Sequence, residues 1–577
     1  MSETIPAGET SAATEASSNV ARRLAPFARE MADAPAVVVQ RGRNLLGKFR
    51  YRSTTFAELE ADSDVISRGL QAYGVVPGMR LALLVKPGIE FVTLVFALLK
   101  SGATSILIDP GMGRKNMLSC LAEAEPEGFV AIPAAQAVRY FVRKRFPAAK
   151  LNVTVGRKLF WDGTTLNAIR TLGRNADGNE PACVVRAAQD PAAIIFTTGS
   201  TGPPKGVLYS HGNFDHQVAE IREGFGIRPG ETNVACFPLF GLFNAAMGVT
   251  TVVPRMDASR PAKANPKNII AALNDQRATQ SFASPAVWDN VGKYCADRGI
   301  KLTTLRDAYS AGAPVPPKVI ERLTSCLPAG GRVHTPYGAT EALPVSTIAS
   351  TEVLGDAKRA GTAKAWAVGR GTCVGKAFPG IERRVIRIVD GPIAEIAQTE
   401  QAPVGGIGEL IVRGPVVTAC YVTRTEANAK AKIADGETFW HRMGDTGYLD
   451  AEGRFWFCGR VAHRVRTAKG TLYTDPCEGI FNQHSSVLRS ALVGVGPIGE
   501  ERPVIVCELV KSRTVRVSRL EAELREMARK NPVTFGIVNF LFHPSFPVDI
   551  RHNSKIFREK LAVWAAEKLG VAPRSES

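Results

Sequence analysis

Anion-binding residue types crowd the stretch from Ile194 to Asn213. Seven of the nine residues from Thr197 to Lys205 are Gly, Ser, Thr or Lys, and the other two are prolines. Gly199 and Gly202 let backbone N–H groups come close to an anion; Thr197, Thr198, Ser200 and Thr201 add hydroxyl donors; Lys205 adds charge. Such a loop suits the phosphates of a nucleotide. It is not the Walker form, because no Gly-Lys-Ser/Thr closes it at the required spacing. The plainer alternative is a flexible Gly/Ser connection, and the two prolines, which stiffen the loop, argue against it.

This loop resembles the signature loop of the adenylate-forming superfamily, the acyl-CoA synthetases, nonribosomal adenylation domains and luciferases. That family makes acyl-AMP from a carboxylic acid and ATP. Further motifs follow in the order the resemblance implies, from about Leu24 to Leu569. Ser310-Ala-Gly312-Ala313-Pro314 resembles the segment along the adenine, where small residues admit a flat base. Thr335-Pro-Tyr337-Gly338-Ala-Thr340-Glu341 resembles the Tyr-Gly-x-Thr-Glu motif. The resemblance implies Tyr337 near the adenine, Thr340 on phosphate and Glu341 on Mg²⁺. A hard cation bridging phosphates does favour carboxylate and hydroxyl oxygens. Asp445 would accept hydrogen bonds from the ribose hydroxyls, as a carboxylate can. Arg460 would reach ribose or phosphates and mark a hinge. Lys555, in Arg551-His-Asn-Ser-Lys555, resembles the catalytic lysine. It would offset charge between the substrate carboxylate and the α-phosphate.

Three departures from the family pattern bear on the acid and the second half-reaction. Phe237-Pro-Leu-Phe240-Gly241-Leu242-Phe243 carries Gly241 where histidine is common, so room is expected beside the carboxylate. The hinge reads Gly459-Arg-Val-Ala-His463, with His463 at the usual acidic pivot. The loop Gly470–Pro476 is one residue longer than usual before Glu478. This combination resembles the olefin β-lactone synthetases of bacterial long-chain olefin biosynthesis. The resemblance implies adenylation of a 2-alkyl-3-hydroxy fatty acid, then attack of its own β-hydroxyl on the acyl carbonyl. Proximity would replace a second substrate. His211, His463 and His552 are candidate bases by motif proximity only, and a structural role is the plainer reading of each. Phe240, Leu242, Phe243 and Met247 would line the alkyl pocket or simply form core. A long- or medium-chain acyl-CoA synthetase, a ligase serving a carrier protein and a non-catalytic nucleotide scaffold remain alternatives. The pathway implies a reductase and a decarboxylase as partners.

The elements that must hold these residues read as α/β. Arg80 to Val85, Gly88 to Leu99 and Thr104 to Ile108 form a βαβ unit. Ala192 to Phe196 and Asn233 to Phe237 read as buried strands. Arg306 to Ser310 precedes a helix from Pro316. Beyond Gly375 come short strands between turns: Arg383 to Val389, Gly408 to Val412, Thr446 to Leu449 and Arg454 to Cys458. From Val461 the chain has its own strands, Arg489 to Val495 and Val504 to Val510. It also has its own helices, Arg519 to Arg529 and Ser554 to Glu567. The resemblance implies a large N-terminal adenylation domain (21–460) and a small mobile α+β C-terminal domain (461–577). Residues 1–20 read as a disordered tail.

Composition bounds the rest. The 577 residues carry a net charge of +18. That surplus attracts polyanions, yet no nucleic-acid motif accompanies it. Ten cysteines lack metal spacing and read as buried thiols, which fits a cytoplasmic protein. No apolar run is long enough to span a bilayer. Arg139 to Phe146 mixes basic and aromatic residues as membrane-surface contacts do. The plainer expectation is a solvated helix with Phe141, Val142 and Phe146 turned inward.

Overall fold

The computed structural model describes residues 18–176, 181–197, 203–237, 241–356, 360–511, 516–548 and 555–574. Two seven-stranded, mostly parallel sheets make up most of the larger part. One runs Thr164–Thr165, Leu151–Thr154, Gly128–Ala131, Arg80–Leu84, Thr104–Leu107, Pro191–Phe196 and Gly206–Ser210. The other runs Arg332–His334, Asp307–Ser310, Gln280–Ala283, Thr232–Ala235, Thr250–Val253, Pro35–Arg43 and Phe49–Thr55. In each, only the last pair is antiparallel. Strands covered on both faces read as continuous apolar runs, which is why Ala192 to Phe196 was legible.

The helix Ile89–Lys100 is apolar nearly all round and correspondingly buried in the largest core cluster. Its last residue, Lys100, is also buried. The ammonium is held by Glu60 at 2.7 Å, Asp64 at 2.6 Å and the Ser63 hydroxyl at 2.9 Å. A cation at a helix C-terminus also opposes the helix dipole.

A six-stranded antiparallel sheet follows, with Thr438–Leu449 at its centre between Gly408–Arg413 and Phe455–Arg460. After Arg460 the described strands pair only with one another. They form the hairpin Val465–Thr467/Gly470–Leu472 and a sheet of Val487–Val495, Arg502–Leu509 and Asn539–Phe542. Strand alternation divides that sheet's apolar residues. Leu492 and Ile505 pack with helices Thr474–Phe481 and Val517–Lys530, while Ala491, Val493 and Val504 pack with Arg558–Leu569.

Several expectations are corrected. Residues 1–17 lie outside the described part, but Ser18 to Val20 are not a loose tail. The Asn19 amide donates to Leu99 O at 2.8 Å, and Val20 is buried in the core. The last helix starts at Arg558, after Ser554, which is itself undescribed. Phe141 does not turn inward: its helix, Pro133–Phe141, ends there and the ring is exposed, while Phe146 is buried. All ten cysteines are free, eight of them buried. Among the described residues no helix is long and apolar enough to cross a membrane.

Candidate active site

The phosphate-type loop joins two antiparallel strands, Pro191–Phe196 and Gly206–Ser210. Its base is cross-bonded: Thr197 N donates to Lys205 O at 3.0 Å, and Lys205 N donates to the Thr197 hydroxyl at 3.1 Å. Thr198, Gly199, Ser200, Thr201 and Gly202 lie outside the described residues, as do Phe240 and His552. Thr197 and Lys205 open onto a cleft of about 1970 Å³.

Every described motif residue named for the nucleotide lines this cleft: Gly312, Ala313, Pro314, Tyr337, Gly338, Thr340, Glu341, Asp445, Arg460 and Lys555. Gly312 takes φ +94°, a conformation side chains resist. At Gly338 a Cβ would fall 2.6 Å from Ala342 O across its hairpin, so only glycine fits. Asp445 pairs in register with Arg460 on the neighbouring strand. The guanidinium donates to its carboxylate at 2.7 Å, and the Tyr337 hydroxyl donates to the other oxygen. The Asp445 charge holds Arg460 above its ordinary range. Each carboxylate oxygen keeps a further lone pair for a ribose hydroxyl.

The carboxylate of Glu341 accepts from the Tyr421 hydroxyl at 2.7 Å. Lys205 lies 4.8 Å above the Tyr421 ring. Tyr209 donates to Thr340 O, fixing the turn between them. Lys432 packs behind, donating to Thr418 O, and burial lowers its ammonium to about 8. His441 lines the cleft on the strand of Asp445, and burial, then the Lys432 charge, holds it neutral. Its Nδ1 has no hydrogen-bond partner among the described residues. Tyr421 and His441 belong to none of the motifs, and no periodicity marks them.

The other wall is apolar. Phe214, Val218 and Ile221 share one face of helix His211–Gly224 and line the cleft with Leu242, Phe243 and Met247. Phe214 meets Phe243 at 4.8 Å. Leu242 and Met247 therefore serve as cleft wall and core together. Among them the buried Asn244 Nδ2 has no partner among the described residues. Gly241 does not make the expected room. It is absent from the cleft lining, and a Cβ there would fall 2.7 Å from the Ala235 Cβ. Close packing on the sheet accounts for this glycine.

His211 is also corrected as a base. It is buried at a helix start, away from the cleft lining, and burial and then Arg186 lower it to about 4. His463 does line the cleft; burial, then Arg558, Arg460 and Arg574, lowers it to about 3. On the far side Arg558 grips both oxygens of Glu478 at 2.7 Å. That contact fixes the chain three residues after Lys555. Asp475 accepts from the Thr372 hydroxyl at 2.9 Å, and burial raises it to about 7.

A cleft with a polar floor of motif residues and an apolar wall, beside two mostly parallel sheets, has the make-up of an acid-activating nucleotide enzyme. The chain belongs to the AMP-binding enzyme family, whose pattern matches residues 24–422. Within that family it is 44% identical to the olefin beta-lactone synthetase of Xanthomonas campestris pv. campestris, over 95% of this chain and 98% of the relative. It is also 44% identical to the protein of the same name in Stenotrophomonas maltophilia, over 96% and 98%. The fold matches an amide bond synthetase from Marinactinospora thermotolerans with a TM-score of 0.75 at 20% identity, over 95% of this chain and 99% of that one.

Proposed function

We propose that the chain adenylates a 2-alkyl-3-hydroxy fatty acid with ATP and then closes it to a β-lactone. The near full-length likeness to the two olefin beta-lactone synthetases carries this reading. The cleft supports it. Asp445 would receive the ribose, residues 312–314 and Tyr337 the adenine, and the 197–205 loop with Thr340 the phosphates. Substrate carboxylate attacks the α-phosphorus and pyrophosphate leaves, with Lys555 offsetting the charge of the two anions. The β-hydroxyl oxygen then attacks the acyl carbon, its proton leaves to a base, and AMP departs. Phe214, Val218, Leu242, Phe243 and Met247 offer apolar surface to the alkyl arms and exclude water from the mixed anhydride.

Glu341 would hold Mg²⁺. One carboxylate fits, because Mg²⁺ is commonly bound by one or two carboxylates plus substrate phosphates and water. Among the described residues no cluster of three acidic, histidine or cysteine side chains would trap the ion without nucleotide. When bound, the ion neutralises phosphate charge.

We further assign residues 21–460 to the adenylation domain and 461–577 to a lid turning about Arg460. The likeness to the olefin beta-lactone synthetases suggests that a reduction of the 3-keto acid supplies the hydroxy acid, and the lactone suits a decarboxylating step. The test is incubation with ATP, Mg²⁺ and a 2-alkyl-3-hydroxy fatty acid, with and without CoA, and NMR identification of the product. A β-lactone formed equally without CoA is expected. A CoA thioester without lactone would return the chain to the acyl-CoA ligases.

A further inference from the structure

Remote from the cleft, the end of helix Pro133–Phe141 and the loop around Phe160 meet in an aromatic crown. The Phe141 and Phe160 rings lie 5.9 Å apart, and Tyr140 sits 5.5 Å from Phe160. None of these residues lines the cleft. Phe141 is 75% exposed, Phe160 59%, Leu159 53% and Val138 43%. Two exposed rings in contact, with Leu159 next to Phe160 in the chain and Val138 three residues before Phe141 on the same helix, make an apolar patch of the kind that marks an interaction site.

The crown is built rather than frayed. Beneath it Arg139, itself buried, donates to Asp162 at 2.6 Å and to Gln136 at 2.8 Å. Trp161 is buried and donates to the Thr154 hydroxyl at 2.9 Å. The apolar tips therefore stand on a fixed base.

Charge identifies the partner. From residue 128 to residue 161 the chain has seven Lys or Arg and no Asp or Glu. Arg143, Lys144, Arg145, Lys150 and Arg157 are exposed, and Arg143 lies 4.6 Å over the Tyr140 ring. Aromatic tips in a basic collar match an anionic bilayer: rings enter the headgroup boundary and cations meet lipid phosphates. The rings pack edge-on and tilted against one another rather than lying as coplanar plates along a groove, the arrangement that tracks successive nucleic-acid bases.

We propose that this crown docks the protein on anionic phospholipid membranes. The docking is a property of the crown and does not depend on which acid the cleft activates. The full chain is mixed with vesicles of phosphatidylcholine alone or with equimolar phosphatidylglycerol, and floated on a density gradient. It should float with the anionic vesicles only. Phe141→Ser/Phe160→Ser should abolish flotation, and Arg143→Gln/Lys144→Gln/Arg145→Gln should weaken partitioning on the order of a hundredfold. Both variants should keep the wild-type melting temperature and ATP–pyrophosphate exchange. In Phe141→Trp, the added emission should be quenched by brominated acyl chains. Failure of the wild type to float, or equal flotation of the variants, would overturn the proposal. So would lipid-free self-association of the wild type that Phe141→Ser/Phe160→Ser disperses, because the crown would then bind a second copy.

Discussion

Asp445 shows how one residue is shared between stability and binding. Its carboxylate holds Arg460 and accepts from Tyr337, so removing it strands a cation in the cleft wall. Asp445→Ala should cost about 2–3 kcal/mol in urea unfolding. That is below the cost for a fully buried pair, because a third of the Arg460 side chain stays open. Asp445→Ala should also weaken ATP binding in calorimetry. Lys555 behaves differently. Lys555→Ala should bind ATP within a few-fold of the wild type yet lose roughly a hundredfold or more of ATP–pyrophosphate exchange, as expected of a group acting on developing charge. Normal exchange in that variant would sink the assignment. Asp445, Arg460 and Lys555 were legible because each sits in a local motif. Tyr421, His441 and Asn244 were not. Tyr421 and His441 take their surroundings from segments distant in sequence, and Asn244 stands out only by an amide that folding leaves without a partner among the described residues, so a sequence window holds no trace of either.

At the scale of elements, helix Thr474–Phe481 brings Asp475 against the larger part of the molecule, while Glu478 stays within the smaller part, held by Arg558 and Leu492 N. Asp475 faces Thr372 from the sheet, Glu478 from its own helix and Arg558 from the last helix. Burial dominates and raises its carboxyl to about 7. A raised acid binds its proton more tightly when folded, so its contribution is full below the ordinary carboxylate range and is lost as pH rises through about 7. Asp475→Asn should remove that slope. The variant's melting temperature should gain on the wild type between pH 5 and pH 8, and parallel curves would refute the argument. His463 sits among Arg558, Arg460 and Arg574 in the hinge turn. His463→Asp would accept those cations, yet should produce no CoA thioester by itself, because the longer Gly470–Pro476 loop remains. Strands such as Arg80–Leu84, Thr104–Leu107 and Pro191–Phe196 were legible as apolar runs, whereas Pro35–Arg43, Gly128–Ala131 and Gln280–Ala283 went unnamed and Thr438–Leu449 was recognised only over its last four residues. Its first half buries His441 and Arg442, and Gly444 at φ +64° breaks the pattern. Arg442 is paired with Glu409 at 2.6 Å, a partner thirty-three residues away. Polar residues that find distant partners defeat periodicity arguments.

For the whole molecule, the junction after Arg460 is stitched by charge. Asp390 holds Arg464 at 2.7 Å and Arg466 at 2.8 Å. Arg574, near the end of the chain, donates to Ala462 O and Arg464 O and pairs with Glu501 at 2.8 Å. Asp390 is largely exposed, so its pairs are worth about 1 kcal/mol. Asp390→Ala should speed tryptic cleavage at Arg460 and Arg464 about five-fold, and an unchanged rate would show that the packing alone holds the junction. The division into two parts could be anticipated from the change in strand pattern past Gly375 and the fresh elements past Val461. The stitches could not, because Asp390, Arg464 and Arg574 are scattered along the chain.

The buried thiols extend that point. Cys458 and Cys477 are both inaccessible and lie on opposite sides of the junction, one in strand Phe455–Arg460 and the other in helix Thr474–Phe481. Burial raises both above the usual thiol range, so neither reacts while the faces are together. Cys477 also packs in the core of the smaller part, so Cys458 is the native stopwatch for the proposed lid turn: its alkylation, timed by mass spectrometry with and without ATP, should quicken if the faces part and stay negligible if they do not.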